Sequence, residues 1–332
     1  MTKPVEMIEV WRGQILECLH LGHAVICDAS GNIVNAWGDP DAVIYPRSSC
    51  KMIQALPLVE SGAADAFGLT TQQLALSCAS HRGAAIHTER VTQWLNDLGL
   101  GEADLRCGAQ EPGDIKARNA LIRAYSEPCQ IHNNCSGKHS GFLTYTKHIG
   151  AGPEYVEVTH PLQVAIRAGF EEVTGHESPG YGIDGCSAPN FATTVHGLAR
   201  AMGYFAGASA GGSARDKAAV RLVDAMMLHP ELVSGEGAAT TELMRALGGK
   251  GAVKSGADGV YIAILPERKL GVVLKLIDGS DKAKASAMAA LLVHLGVLDA
   301  AHPTALRYVN TTERNRRGLV TGTMKAAPGF TA

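Results

Sequence analysis

GVYIAILPERKLGVVLKLID, Gly259–Asp278, decides the fold. It reads as two strands rich in branched aliphatic residues, joined by a short polar turn at Glu267 and Arg268. A helix from about Asp281 to Leu295 follows. At the other end of the chain, MIEVWRGQILECLHLGHAVICDASGNIVNAWG (Met7–Gly38) also reads as strands, with a hairpin turn at Ala29-Ser30-Gly31-Asn32. Between the two ends the pattern is helical: Thr70 to Ala79 with a Thr70/Gln73 capping box, then His87 to Leu98 stopping at Gly99. Ile115 to Ser126, Lys138 to Ile149, Pro161 to Val173, Asn190 to Phe205 and Ala214 to Leu228 follow. This arrangement predicts an α/β (α+β) chain with one mainly antiparallel sheet drawn from both ends, covered by helices, and a helical lobe. The expected organisation is one domain over 1–332, with a sheet lobe from roughly 1–50 and 250–332 and a helical lobe from roughly 51–249. No strand–helix alternation and no GxGxxG after a strand points to a dinucleotide fold.

Composition narrows the class further. The 332 residues carry 30 Lys plus Arg against 32 Asp plus Glu, without a long run of either sign, so nucleic acid is not an expected partner. MTKPVEMIEVWRG has no apolar stretch of signal-peptide length. The most apolar segment, Ala285 to Leu298, contains His294 and is too short to cross a bilayer. A soluble, cytoplasmic protein without a membrane partner is expected. Eight cysteines scattered through such a chain read mostly as small buried hydrophobes, not as a disulfide framework.

Five segments carry candidate chemistry. In YPRSSCKMIQALPLVES (Tyr45–Ser61), Ser48 looks like a helix cap, but Lys51 is the wrong residue for a capping box and its charge opposes the helix dipole. The same placement suits a general base. Residues i and i+3 share a helix face, and Met52, Ile53, Leu56 and the helix end all favour a neutral amine able to take the Ser48 proton. Pro57 is expected to end or kink the helix early. Downstream, Lys254-Ser255-Gly256 precedes a strand. An S-x-x-K followed far along the chain by K-[ST]-G is the order found in serine β-lactamases and penicillin-binding proteins, although the S-D-N element of those enzymes has no counterpart here. Ala257 N–H and Ser48 N–H are candidate oxyanion donors. In LSCASHRGAAIHTERV (Leu76–Val91), Ser80 is a second serine able to pair with Lys254, or else part of an ordinary helix end with a favourable His81. In HNNCSGKHSG (His132–Gly141) and GIDGCSAPNF (Gly182–Phe191), Cys135 and Cys186 each precede a helix in a Gly-rich segment. Two thiolates with Lys138, His132 or His139 nearby suit zinc; two buried cysteines beside a loop is the alternative.

Taken together, PRSSCK, CASHRG, NNCSGKHSGF, DGCSAPNF and KSGADGVY resemble the Rhizobium-type L-asparaginases, the thermolabile asparaginase II family, over nearly the whole chain. The constitutive, more heat-tolerant type is the nearer likeness. The resemblance implies a serine β-lactamase/glutaminase-like fold, a homodimer, and hydrolysis of L-asparagine to L-aspartate and ammonia. It implies two pairs, Ser48 with Lys51 and Ser80 with Lys254, and zinc held by Cys135, Lys138 and Cys186 with Asp184 nearby. Arg47, His81, Asn134 and His139 are then candidates to grip the α-carboxylate and α-amine of the substrate, because a small zwitterion needs several convergent polar groups. A glutaminase, another small-amide serine hydrolase, or a non-catalytic zinc-binding protein are the alternatives.

Overall fold

Strand pairing in the computed structural model, which describes residues 3–331, joins the two ends of the chain. The strands are β1 (Val5–Arg12), β2 (Ile15–Asp28), β3 (Ile33–Trp37), β4 (Val43–Ile44), β5 (Tyr181–Ile183), β6 (Pro189–Phe191), β7 (Thr193–Thr194), β8 (Ala252–Ser255), β9 (Val260–Leu265), β10 (Leu270–Leu276), β11 (Asn310–Arg314) and β12 (Val320–Ala326). The main sheet runs β11-β12-β1-β2-β10-β9-β8, with β3 added to β2, and every pairing in it is antiparallel. The mixed α/β class and the sheet drawn from both ends are as expected. β9 and β10 pair Leu265 with Leu270 across the Pro266–Arg268 turn. Val260–Leu265 is buried at all six positions, the pattern of a strand covered on both faces rather than on one.

The described residues form two compact units. The first gathers residues up to Ser49, Thr193–Gly207 and those from Glu242 onward; the second gathers Cys50–Ala192 and Ala208–Thr241. In the first unit, the helices Val195–Gly207 and Asp281–His294 pack on the sheet. The sequence reading starts the former at Asn190 and assigns it to the helical lobe. Asn190 instead lies in β6, and the helix begins at Val195 and belongs with the sheet. The contact is backbone to backbone: a side chain at Gly271 of β10 would overlap Met202 and Gly203 of the helix. Thr-rich β11 and β12, with their half-exposed alternation, escape the sequence reading although they lengthen the sheet.

The second unit is helical, as the central pattern predicts. Thr71–Ser77 starts at a Thr70/Gln73 capping box, and Ala85–Asp97 runs out at Leu98 before Gly99 turns left-handed. Ser136–His148, Pro161–Thr174 and Ala214–Leu228 form the largest elements around them. No helix among the described residues is long and apolar enough to cross a membrane.

Candidate active site

Around Lys51 the chain departs from the predicted helix start. Arg47–Cys50 is a 3-10 turn, and the α-helix that follows is the single turn Lys51–Gln54. Cys50, not Ser48, occupies the cap position, and no side chain caps it. A second short helix, Leu56–Glu60, begins anew with Pro57 in its first turn. One turn has too few aligned peptides for a large dipole, so the surroundings of Lys51 rest on burial and direct contacts. All four residues Lys51–Gln54 are buried, and Lys51 is 1% exposed.

Within the second unit, the Lys51 amine donates to the Ala79 carbonyl, to Ser80 Oγ at 3.0 Å and to Cys135 Sγ at 3.1 Å. Ser80 is presented by the turn after Thr71–Ser77, pinned by its N–H to Val233 O. Cys135 stands at the start of Ser136–His148, its N–H bonded to Asn133 Oδ1 at 2.8 Å. Gly137 makes that approach possible, since a side chain there would press on the Leu76 carbonyl at 2.6 Å. One helical turn brings Lys138 onto Cys186, Nζ to Sγ 3.1 Å. Cys186 sits at the tip of the β5–β6 hairpin, where Ser187 takes a positive φ of 68° and Asp184 bonds to Ala188.

The two sulfurs are unequal. The Cys186 thiol is held well below the ordinary range by a hydrogen bond from Cys135, with the Lys138 charge assisting against burial. That same bond, together with burial, pushes the Cys135 thiol well up. Burial opposes charge on Lys138, but Cys186 and Cys135 outweigh it and raise its pKa. Asp184, half-buried on the hairpin, adds to that field. Cys50 beside them is pushed up to about 12 by burial and remains a thiol. Among the described residues no three His, Cys, Asp or Glu side chains converge as a metal site. The convergent donor set here is two sulfurs and a lysine.

The proposed substrate contacts divide. His81 is fully committed to the framework: Nδ1 accepts from Gly83 N–H at 3.1 Å, and Nε2 meets Ser136 Oγ at 2.9 Å. It stacks on His87 with ring centroids 4.8 Å apart. Asn134 Oδ1 accepts from the Cys135 thiol at 2.9 Å. His139 Nδ1 meets the Tyr155 hydroxyl at 2.9 Å, while its Nε2 is buried without a hydrogen-bond partner. Burial lowers the His139 pKa to about 4.

Within the first unit, Lys254 lies on edge strand β8, is 1% exposed and donates to Ser255 O at 2.7 Å. Gly256 abuts the 46–49 turn; a side chain on it would sit 2.7 Å from Pro46 O and 3.2 Å from Ser49 N. Within this unit, then, the turn that carries Ser48 and the end of the K-S-G strand lie against each other. Arg47 is tied to the Asp258 carboxylate, and both residues have positive φ, 53° and 52°. Two lysines missed by the sequence reading, Lys284 buried and Lys275 half-buried, hold the same loop: Lys284 donates to Gly256 O and Lys275 to Asp258 O. Nothing in DKAKASAMAALLVH (Asp281–His294) sets Lys284 apart from Lys282 at the start of the same helix, because its partner is a backbone carbonyl from a distant segment.

A buried amine touching a serine hydroxyl marks a mixed α/β chain built for polar chemistry in a dry setting. Residues 8–326 match the profile of L-asparaginase II, and the chain belongs to that family of amide hydrolases. Similar solved structures include Mglu in its native form (13% identity over 89% of this chain and 69% of that one, TM-score 0.49). They also include a β-lactamase from Mycobacterium bovis (14%, 82% and 94%, 0.38) and an octameric penicillin-binding protein homologue from Pyrococcus abyssi (15%, 84% and 74%, 0.38). No curated protein matches.

Proposed function

We propose that the chain hydrolyses L-asparagine to L-aspartate and ammonia by acyl transfer to serine. The observation that carries this reading is the Lys51 amine, 1% exposed, donating to a carbonyl, a serine hydroxyl and a thiol. An amine in that setting is placed to exchange protons with a hydroxyl. Ser48 attacks the side-chain amide carbon as Lys51 takes its proton, and the Ser48 and Ala257 N–H groups stabilise the oxyanion. Ammonia leaves with a proton relayed through the lysines and Ser80, with Lys254 as the second base. Water then cleaves the β-aspartyl ester along the reverse path. Arg47, His81, Asn134 and His139 were the expected substrate contacts. Of these, His81 has both ring nitrogens committed, and the grip falls more to Arg47 and Asn134.

The 3.0 Å contact from Lys51 to Ser80 favours a second assignment, with Ser80 as the hydroxyl that Lys51 serves. Ser48→Ala and Ser80→Ala, compared in turnover and in trapped acyl-enzyme, separate the two. The variant that forms no covalent adduct identifies the nucleophile, and near-normal turnover in both would reject serine acyl transfer.

Cys135, Lys138 and Cys186, with Asp184 nearby, would hold a zinc ion: one sulfur already favours the thiolate, and the Lys138 ammonium, its present counter-charge, would release its proton to solvent as the metal charge takes that place. Zinc bound there would supply a fixed positive charge beside the substrate and brace the two segments that carry the cysteines. Chelation is expected to raise KM while leaving kcat, and complete loss of kcat with intact fold would overturn that role. Glutamine is the closest competing substrate, since one methylene is worth only about 1–3 kcal/mol of discrimination; parallel ammonia assays on both amides decide. Ammonia release from neither would return the non-catalytic zinc-binding reading. A cytoplasmic homodimer of the Rhizobium type, heat-tolerant branch, completes the proposal, resting on the five sequence blocks quoted above.

A further inference from the structure

The lysine on Gly256 has a consequence for the reaction. A trans peptide is planar, so the Gly256 carbonyl and the Ala257 N–H belong to one rigid unit and point in opposite directions. Lys284, 4% exposed on the helix Asp281–His294, donates to that carbonyl from the interior and is paired with Asp281 at its outer side. Gly256 is buried and Ala257 exposed, so the carbonyl is drawn inward and the N–H directed outward. Lys275 holds the next carbonyl but one, on Asp258, and Arg47 holds the Asp258 carboxylate. The peptide plane is therefore fixed at both sides. An ammonium on a carbonyl oxygen also withdraws density through the amide and strengthens its N–H as a donor.

We infer that Lys284 is a positioning residue that aims and polarises the Ala257 N–H for the oxyanion of the reaction. The inference rests on the proposed role of Ala257 as an oxyanion donor. Lys284 touches no reacting atom; it acts through the peptide bond.

The test uses the full chain. Lys284→Met and Lys284→Arg are compared with wild type after near-UV circular dichroism and thermal melting establish the fold, with Lys284→Gln, which keeps a neutral donor, as the further variant should Met not fold. Turnover of L-asparagine is measured beside binding of two probes. L-aspartate β-semialdehyde forms a serine adduct bearing an oxyanion; L-aspartate forms none. Losing an oxyanion donor outright costs about 10²–10³ in kcat, so weakening and misaiming one is expected to cost roughly tenfold. Lys284→Met should lower kcat and semialdehyde affinity by the same factor, with KM and aspartate affinity within about twofold. Lys284→Gln should fall between, and Lys284→Arg should restore most of the loss. Equal losses for both probes, or an unchanged kcat, would overturn the inference. The semialdehyde-to-aspartate ratio reads the donor whichever serine forms the adduct, so failure of the Ser48 assignment is distinguishable from failure of this one.

Discussion

At the scale of single residues, burial decides most of the chemistry. His81 and His87, stacked and buried, both have pKa values below the ordinary 6.5, chiefly because burial disfavours the imidazolium. Below about pH 6.5 the unfolded chain takes up protons that the folded one refuses. Stability therefore rises with pH through this window and is lost as pH falls below it. His87 Nε2 donates to Glu231 O at 2.9 Å, a bond a glutamine amide can replace. His87→Gln is thus expected to melt with a flatter dependence on pH between about 5 and 6.5 than wild type; parallel melting curves over that range check it. Ser48 and Lys51 stand out in the sequence because S-x-x-K is a motif of fixed spacing, whereas Ser80, Cys135, Lys138 and Cys186 are singled out as a site only through the family resemblance. Lys275 and Lys284 are legible in neither way, since their partners are backbone carbonyls from distant segments and carry no residue signature.

At the scale of elements, pattern reading succeeds where a local rule governs. The Thr70/Gln73 box, the Gly99 stop, the Asp28–Ile33 hairpin turn and the restart at Pro57 all follow from neighbouring residues. It fails where distant contacts govern. Asn190 looks like the cap of a helix, but its strand pairs with Tyr181–Ile183, and the helix waits for Val195. Asn310–Arg314 and Val320–Ala326 are too polar to announce themselves and become strands through β1. The same non-local character makes the seat of Val195–Gly207 on the sheet intolerant of bulk. Gly271→Ala is expected to cost about 1–3 kcal/mol, as overpacking does, read as a lower urea midpoint at unchanged slope.

For the molecule as a whole, all eight cysteines are free. A reducing agent is therefore expected to leave the melting temperature unchanged in metal-free protein, and a fall of several degrees would reveal a bridge. The order of the sheet has a further consequence, one for biosynthesis. β2 leaves the ribosome well before its neighbour β10, which lies about 240 residues later, a delay of roughly 10–50 s at about 5–20 residues per second. Throughout that interval the nascent hairpin offers Ala24, Val25 and Ile26 along an open edge. Expression yield should therefore depend on translation speed and on holdase chaperones more than the stability of the finished enzyme would suggest.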